Sequence, residues 1–167
     1  PRDRVTIRTS GTSGEPFALV ATRREVAVRR TTDFRALLGA GVGWRDVIAI
    51  VGPEHERRPN LHDRAGIFRT EFVPGALAAA EQIRRLARLR PTVLWIYPTV
   101  LRAILHEAGD RFADVCRPRM IITSSEVLDP VMRARAGALF PVPLFDFYGS
   151  NEVGRIAQEC PAHDGLH

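Results

Sequence analysis

The sequence predicts an α/β domain: a mostly parallel sheet with crossover helices, preceded by an N-terminal β-hairpin. Three observations carry this expectation. Short apolar runs near 47–51, 93–97, 119–124 and 144–147 have the length and composition of buried strands. Segments with helical apolar spacing separate them, and such alternation implies crossover connections. Near the N-terminus, two β-prone stretches flank a short Gly/Ser/Thr loop that leaves no room for a crossover.

In order, residues 5–9 alternate as a strand does, 9–16 form the loop, and 17–22 return as the second strand of the hairpin. Residues 23–40 read as a helix stopped by Gly39 and Gly41. The run 47–51 is a strand, the polar stretch 52–65 a loop with His55 and His62 in solvent, and 67–73 a strand. Residues 76–89 place Leu77, Ala80, Ile83 and Ala87 at helical spacing. A strand over 93–97 precedes a helix over 100–108, with Thr99 as its cap and Gly109 as its end. Residues 119–124 are a strand, Pro130 starts a helix to 139, 144–147 is a strand and 156–159 a further one.

The 167 residues suit one domain, and a 45% hydrophobic content supports a core without disulfides. Cys116 and Cys160 do not make a disulfide framework, which points to a reducing compartment. The longest apolar stretch, 93–105, is broken by Pro98 and Arg102, and the first residues lack a signal-peptide core. A cytoplasmic protein without a membrane partner is expected. The net charge of +5 sets 24 arginines, with no lysine, against 19 acidic residues. Their short, dispersed pairs read as solvated helix faces rather than a nucleic-acid surface, and no nucleic-acid reader motif is present.

In open parallel sheets, ligands bind beyond the carboxyl ends of the strands. Three polar segments fall there: 97–99, 124–126 and 148–152. The hairpin loop is Thr9, Ser10, Gly11, Thr12, Ser13, Gly14, Glu15, Pro16. Two glycines permit a tight turn that aims amides at a phosphate, and the hydroxyls add donors. It lacks the lysine and following helix of a Walker loop. The alternative is a surface turn. The second motif runs from Phe145 to Glu152. Tyr148 at a strand end can stack on a purine, and Glu152 can hold Mg²⁺ beside phosphates. The alternative is a packed Tyr148 and a solvated Glu152.

Taken together, the two motifs resemble the adenylate-forming superfamily of acyl-coenzyme A synthetases, luciferases and peptide-synthetase adenylation domains. Within it the chain is most similar to the phenylacetate–coenzyme A ligase branch, through Tyr97, Pro98 and Thr99 leading into a helix and Glu159 and Cys160 shortly before Gly165, Leu166 and His167. The resemblance implies that 9–16 wraps the β- and γ-phosphates of ATP. It implies that Ser124, Ser125 and Glu126 lie against adenine, that Tyr148, followed by Gly149 and Ser150, stacks on it, and that Asn151 touches the α-phosphate. Glu152 would bind Mg²⁺, and Tyr97, Pro98 and Thr99 would lie near the acyl pocket. The implied reaction activates a small carboxylic acid, with aromatic acids among the candidates, as its adenylate and passes it to coenzyme A.

The chain departs from the family at Glu15, where a lysine is common, at Asn151, which replaces a hydroxyl residue, and at Ser124 and Ser125, which replace Gly and Ala. The family's ribose-binding Asp and lysine-bearing small C-terminal domain have no counterpart here. Residues 1–167 are therefore expected to be part of an ATP-binding N-terminal domain, inactive in isolation. A non-catalytic nucleotide- or partner-binding module is the competing reading. Cys160, His163 and His167 offer three Zn²⁺ ligands where a structural site wants four; the alternative is a loop with a packed Cys160 and exposed histidines.

Overall fold

The computed structural model describes residues 3–8, 18–52, 65–150 and 152–167. Residues 9–16, expected to form a phosphate loop, and His55, His62 and Asn151 lie outside the described residues.

Strands β1 (Arg4–Arg8) and β2 (Ala18–Thr22) pair antiparallel as a separate two-stranded sheet, with Arg4 opposite Thr22 and Arg8 opposite Ala18. Helix α1 (Arg23–Gly39) follows without a linker. Thr22, still extended, caps it: its hydroxyl accepts from the Glu25 N–H at 3.2 Å, while Glu25 Oε2 accepts from the Thr22 N–H at 2.6 Å. Beyond Ala40, Gly41 takes a φ of 90°, and Val42 and Gly41 donate to the Leu37 and Leu38 carbonyls. That double bond closes the helix in a Schellman turn, for which glycine supplies the left-handed residue.

The main sheet has the order β4-β3-β5-β6-β7-β8. Its strands are β3 (Val47–Gly52), β4 (Arg69–Pro74), β5 (Val93–Ile96), β6 (Met120–Ser124), β7 (Leu144–Ser150) and β8 (Gly154–Gln158). All pairings are parallel except β7 with β8. The connections carry α2 (Ala79–Leu89), α3 (Pro98–Ala108), the short α4 (Phe112–Val115) and α5 (Pro130–Leu139).

Side-chain alternation splits the core into two layers. Leu94, Ile96, Ile121 and Leu144 pack under Leu86, Leu101, Ile104, Leu105, Phe112, Met132 and Ala136 of α2–α5. Val93, Met120, Ile122, Phe145 and Phe147 pack under Ala36 and Leu37 of α1. Cys116 belongs to the first layer, where burial pushes its thiol up to about 12, so it is an inert core residue.

Two sequence expectations are corrected. Helix α3 starts at Pro98, not after a Thr99 cap; Tyr97 is the cap residue, and Pro98 suits the first helical position because its missing N–H would have no helical partner. Strand β7 runs on to Ser150 because β8 returns antiparallel beside it, so Tyr148, Gly149 and Ser150 are strand residues. A short helix, α4, occupies residues left unassigned.

At the amino ends of the parallel strands, buried Asp46 gathers the Gly43 N–H at 2.6 Å, the Thr92 hydroxyl at 2.7 Å and Arg119 Nε at 2.9 Å, and forms a second bond with Arg119 Nη2. It thereby ties together the starts of β3, β5 and β6. Burial alone would raise the Asp46 carboxyl, but the bonds from Arg119, Gly43 and Thr92 more than offset it and leave the group below its ordinary value. A depressed carboxylate contributes stability that is complete above its unfolded value, near pH 4, and is lost as pH falls through the folded value. Asp46→Ala should cost about 3 kcal/mol in denaturant unfolding at pH 7. Its thermal midpoint should fall less steeply than the wild type's as pH drops below 4.

Candidate functional site

The carboxyl ends of β5, β6 and β7 come out side by side, because Ile96 pairs with Thr123 and Ser124 with Phe147. The three polar segments expected to share a cleft are therefore neighbours along one edge. Tyr97 leaves β5 with its ring against the end of β3. A Cβ on Gly52 would lie 3.1 Å from Tyr97 Cε1, so the glycine is what lets the ring sit on the backbone. Pro98 is buried and Thr99 is exposed on the first turn of α3.

Ser124 is 5% exposed, and its hydroxyl accepts from Trp95 Nε1 at 2.6 Å. Ser125 then turns the chain with a φ of 70°, a conformation uncommon outside glycine, and points it back toward α3. There the Glu126 carboxylate accepts from the Thr99 N–H at 2.8 Å and from the Thr99 hydroxyl at 2.7 Å. One carboxylate thus satisfies an orphan donor at the helix start and joins 97–99 to 124–126. Arg102 pairs with Asp129, whose carboxylate caps α5 through the Met132 N–H at 2.8 Å. That backbone bond, with help from Arg102, holds the Asp129 carboxyl below its ordinary value.

On β7 the alternation drives Phe147 into the core and leaves Tyr148 56% exposed on the opposite face. Gly149 sits at a register shift opposite Arg155. A Cβ there would stand 2.6 Å from the Gly154 carbonyl oxygen, so only glycine fits. Glu152 is exposed in the turn. A bond from the Ser150 side chain is the main cause that holds its carboxyl below the ordinary value, and the Arg29 charge adds to it. Glu152 follows Tyr148 by four residues, past the end of β7; a solvent-facing carboxylate can ligate a hard cation, and an exposed ring can stack on a base.

Behind β8 the chain closes on itself: Gln158 and His167 exchange backbone bonds at 3.0 and 2.9 Å. That register decides which side chains meet. Cys160, Asp164 and His167 bring their ligand atoms within 4.8 Å of one another, with His167 Nε2 2.8 Å from Asp164 Oδ1. His163 is not in the cluster; its ring stacks on Phe145 at 4.9 Å. The available set is thus Cys, Asp and His, three candidate ligands where a structural Zn²⁺ site takes four.

Two arginines that nothing in the local pattern singled out also adjoin the site. Arg29 of α1 donates to the Glu152 carbonyl at 2.6 Å. Arg155 lies 4.4 Å over the Phe147 ring and pairs with Asp33 at 3.1 Å, with its Nε buried and unbonded.

No protein-family model and no curated protein matches the sequence. Solved structures do match. A 2-hydroxyisobutyryl-CoA ligase in complex with 2-HIB-AMP and CoA superimposes with a TM-score of 0.70 at 16% identity, over 98% of this chain and 40% of that one. The fold is that of the adenylate-forming enzymes. The anthranilate CoA ligase AuaEII with anthranoyl-AMP gives a TM-score of 0.68 at 17% identity, over 94% of this chain and 31% of that one. A luciferase-like enzyme from the mealworm Zophobas morio gives 0.62 at 17% identity, over 95% and 37%. The chain spans about 40% of the length of the first of these adenylate-forming structures.

Gly149→Ala should lower stability by about 2 kcal/mol, since the bulge must open to admit the methyl. Gly137→Ala in α5, where an added Cβ meets nothing within 4 Å, should raise it by about 0.5–1 kcal/mol. Urea unfolding of the two variants side by side checks both signs.

Proposed function

We infer that the chain is the ATP-gripping part of an adenylate-forming ligase that activates a small carboxylic acid. The observation that carries this reading is the carboxyl edge of the sheet. There an exposed Tyr148 and an ionised Glu152 stand on one strand and its turn, beside the linked segments 97–99 and 124–126. The fold likeness to enzymes solved with acyl-adenylates supports it.

In this reading, adenine stacks on Tyr148 and lies against the turn at Ser124 and Ser125. The loop 9–16 holds the β- and γ-phosphates through its amides and hydroxyls, and Asn151 donates to the α-phosphate. Glu152 and phosphate oxygens would hold Mg²⁺, which supplies neutralising charge as pyrophosphate leaves. The acid enters near Tyr97, Pro98 and Thr99, and its carboxylate oxygen attacks the α-phosphorus. The chain's contribution is to position and desolvate, since the reaction asks for little covalent chemistry from the protein. Coenzyme A is the proposed acceptor of the acyl group, as in the phenylacetate-type ligases.

Acid-dependent ATP–pyrophosphate exchange by the full-length gene product tests the assignment, and absence of exchange with a broad panel of aliphatic, amino and aromatic acids would overturn it. Glu152→Gln should lower the exchange rate by roughly 10²–10³-fold. Tyr148→Ala should raise the KM for ATP about tenfold with a smaller change in the KM for the acid.

A further inference from the structure

Helix α1 lies against the β7–β8 turn through two charged residues one helical turn apart, Arg29 and Asp33. Arg29 Nη2 donates to the Glu152 carbonyl at 2.6 Å. The stem of the same side chain lies over the turn: a Cβ on Gly154 would stand 3.2 Å from Arg29 Cγ, and Gly154 takes a φ of 79°. One turn further along, Asp33 pairs with Arg155 Nη2 at 3.1 Å. Arg155 is only 7% exposed, and its guanidinium lies over Phe147. The two bonds grip the β7–β8 hairpin on both sides of Gly154. The same helix is capped by Thr22, the last residue of β2, which carries the chain out of the phosphate-loop hairpin. An open groove lined by Asp3, Thr22, Arg24, Glu25, Val28, Arg29 and Val153 runs between the two.

Arg29 bonds the Glu152 backbone carbonyl, and its charge also bears on the Glu152 carboxylate. That carboxylate is exposed and accepts from the Ser150 side chain, while the peptide unit beneath it is held by Arg29. A long, rotamer-rich side chain ordered this way loses entropy, and the charge-assisted bond to the carbonyl offsets that loss. We propose that Arg29 is a positioning residue: it sets the direction of the Glu152 carboxylate toward a divalent cation and couples it, through α1, to the phosphate-loop hairpin. The proposal rests on the ligase reading above and adds to it a residue outside both motifs.

The test uses the full-length gene product and three variants, Arg29→Ala, Arg29→Lys and the exposed helix neighbour Arg30→Ala. In pyrophosphate exchange at saturating ATP and acid, Arg29→Ala should raise the Mg²⁺ concentration for half-maximal rate roughly tenfold, as expected for a lost charged hydrogen bond. Arg29→Lys keeps the charge and one donor and should recover most of the difference, while Arg30→Ala should match wild type. Amide hydrogen exchange should speed up at 152–154 in Arg29→Ala and stay unchanged at 144–147. A Mg²⁺ requirement that does not move would overturn the proposal. So would a uniform loss of every kinetic constant that tracks a lowered thermal midpoint, which marks a general structural role. If the wild type shows no exchange, the ligase reading fails and with it the cation role. Hydrogen exchange then decides the clamp alone, and unchanged protection at 152–154 sinks that as well.

Discussion

The unbroken parallel ladder from β3 to β7 is the constraint on which the rest depends. Parallel pairing with a fixed register makes each strand end at the same edge, so polar segments far apart in sequence become neighbours there. The network around Asp46 secures the opposite edge, where β3, β5 and β6 begin. The Glu126 carboxylate then fastens the carboxyl edge, joining the exit of β6 to the start of α3. Between these two polar ties the strands are mainly apolar, with the 2.8 Å bond from the Thr123 hydroxyl to Asp146 Oδ1 between β6 and β7 as an exception.

The fold was legible because its strands are short apolar runs and its helices carry apolar residues at helical spacing, both of which are local signals. The edge residues Tyr97, Ser124 and Tyr148 were legible for the same reason, since each directly follows or ends such a run. The start of α3 was misjudged because Thr99 looks like a cap in isolation, while Pro98 already has the helical φ. The extension of β7 through Ser150 depends on pairing with β8, which no window centred on 144–147 contains. Cys160 and His167 meet Asp164 instead of His163 because the Gln158–His167 backbone pair sets the loop's register. Arg29 could not be found locally at all: it sits in an arginine-rich helix, and its partner is 123 residues away.

The arginine excess also takes on a physical meaning. Arg119 binds Asp46, Arg102 binds Asp129, Arg133 binds Glu159 at 2.6 Å and Arg155 binds Asp33. On α2, Arg85 and Arg84 pull the Glu81 carboxyl down to about 2. Glu159 in turn accepts the Asp146 N–H at 2.8 Å, beside an Asp146 carboxyl that burial raises above its ordinary value. The planar fork of arginine suits such carboxylate partners better than a lysine ammonium does. These pairs, several of them on the surface, offset part of the positive charge within the molecule.

The β1–β2 hairpin forms a sheet of its own and shares no ladder bond with the six-stranded sheet among the described residues. Its connection to the body passes through α1, which begins where β2 stops. Such an arrangement is modular. A substitution in this ribbon removes no hydrogen bond from the main ladder, so the scaffold's cooperativity is insulated from changes there.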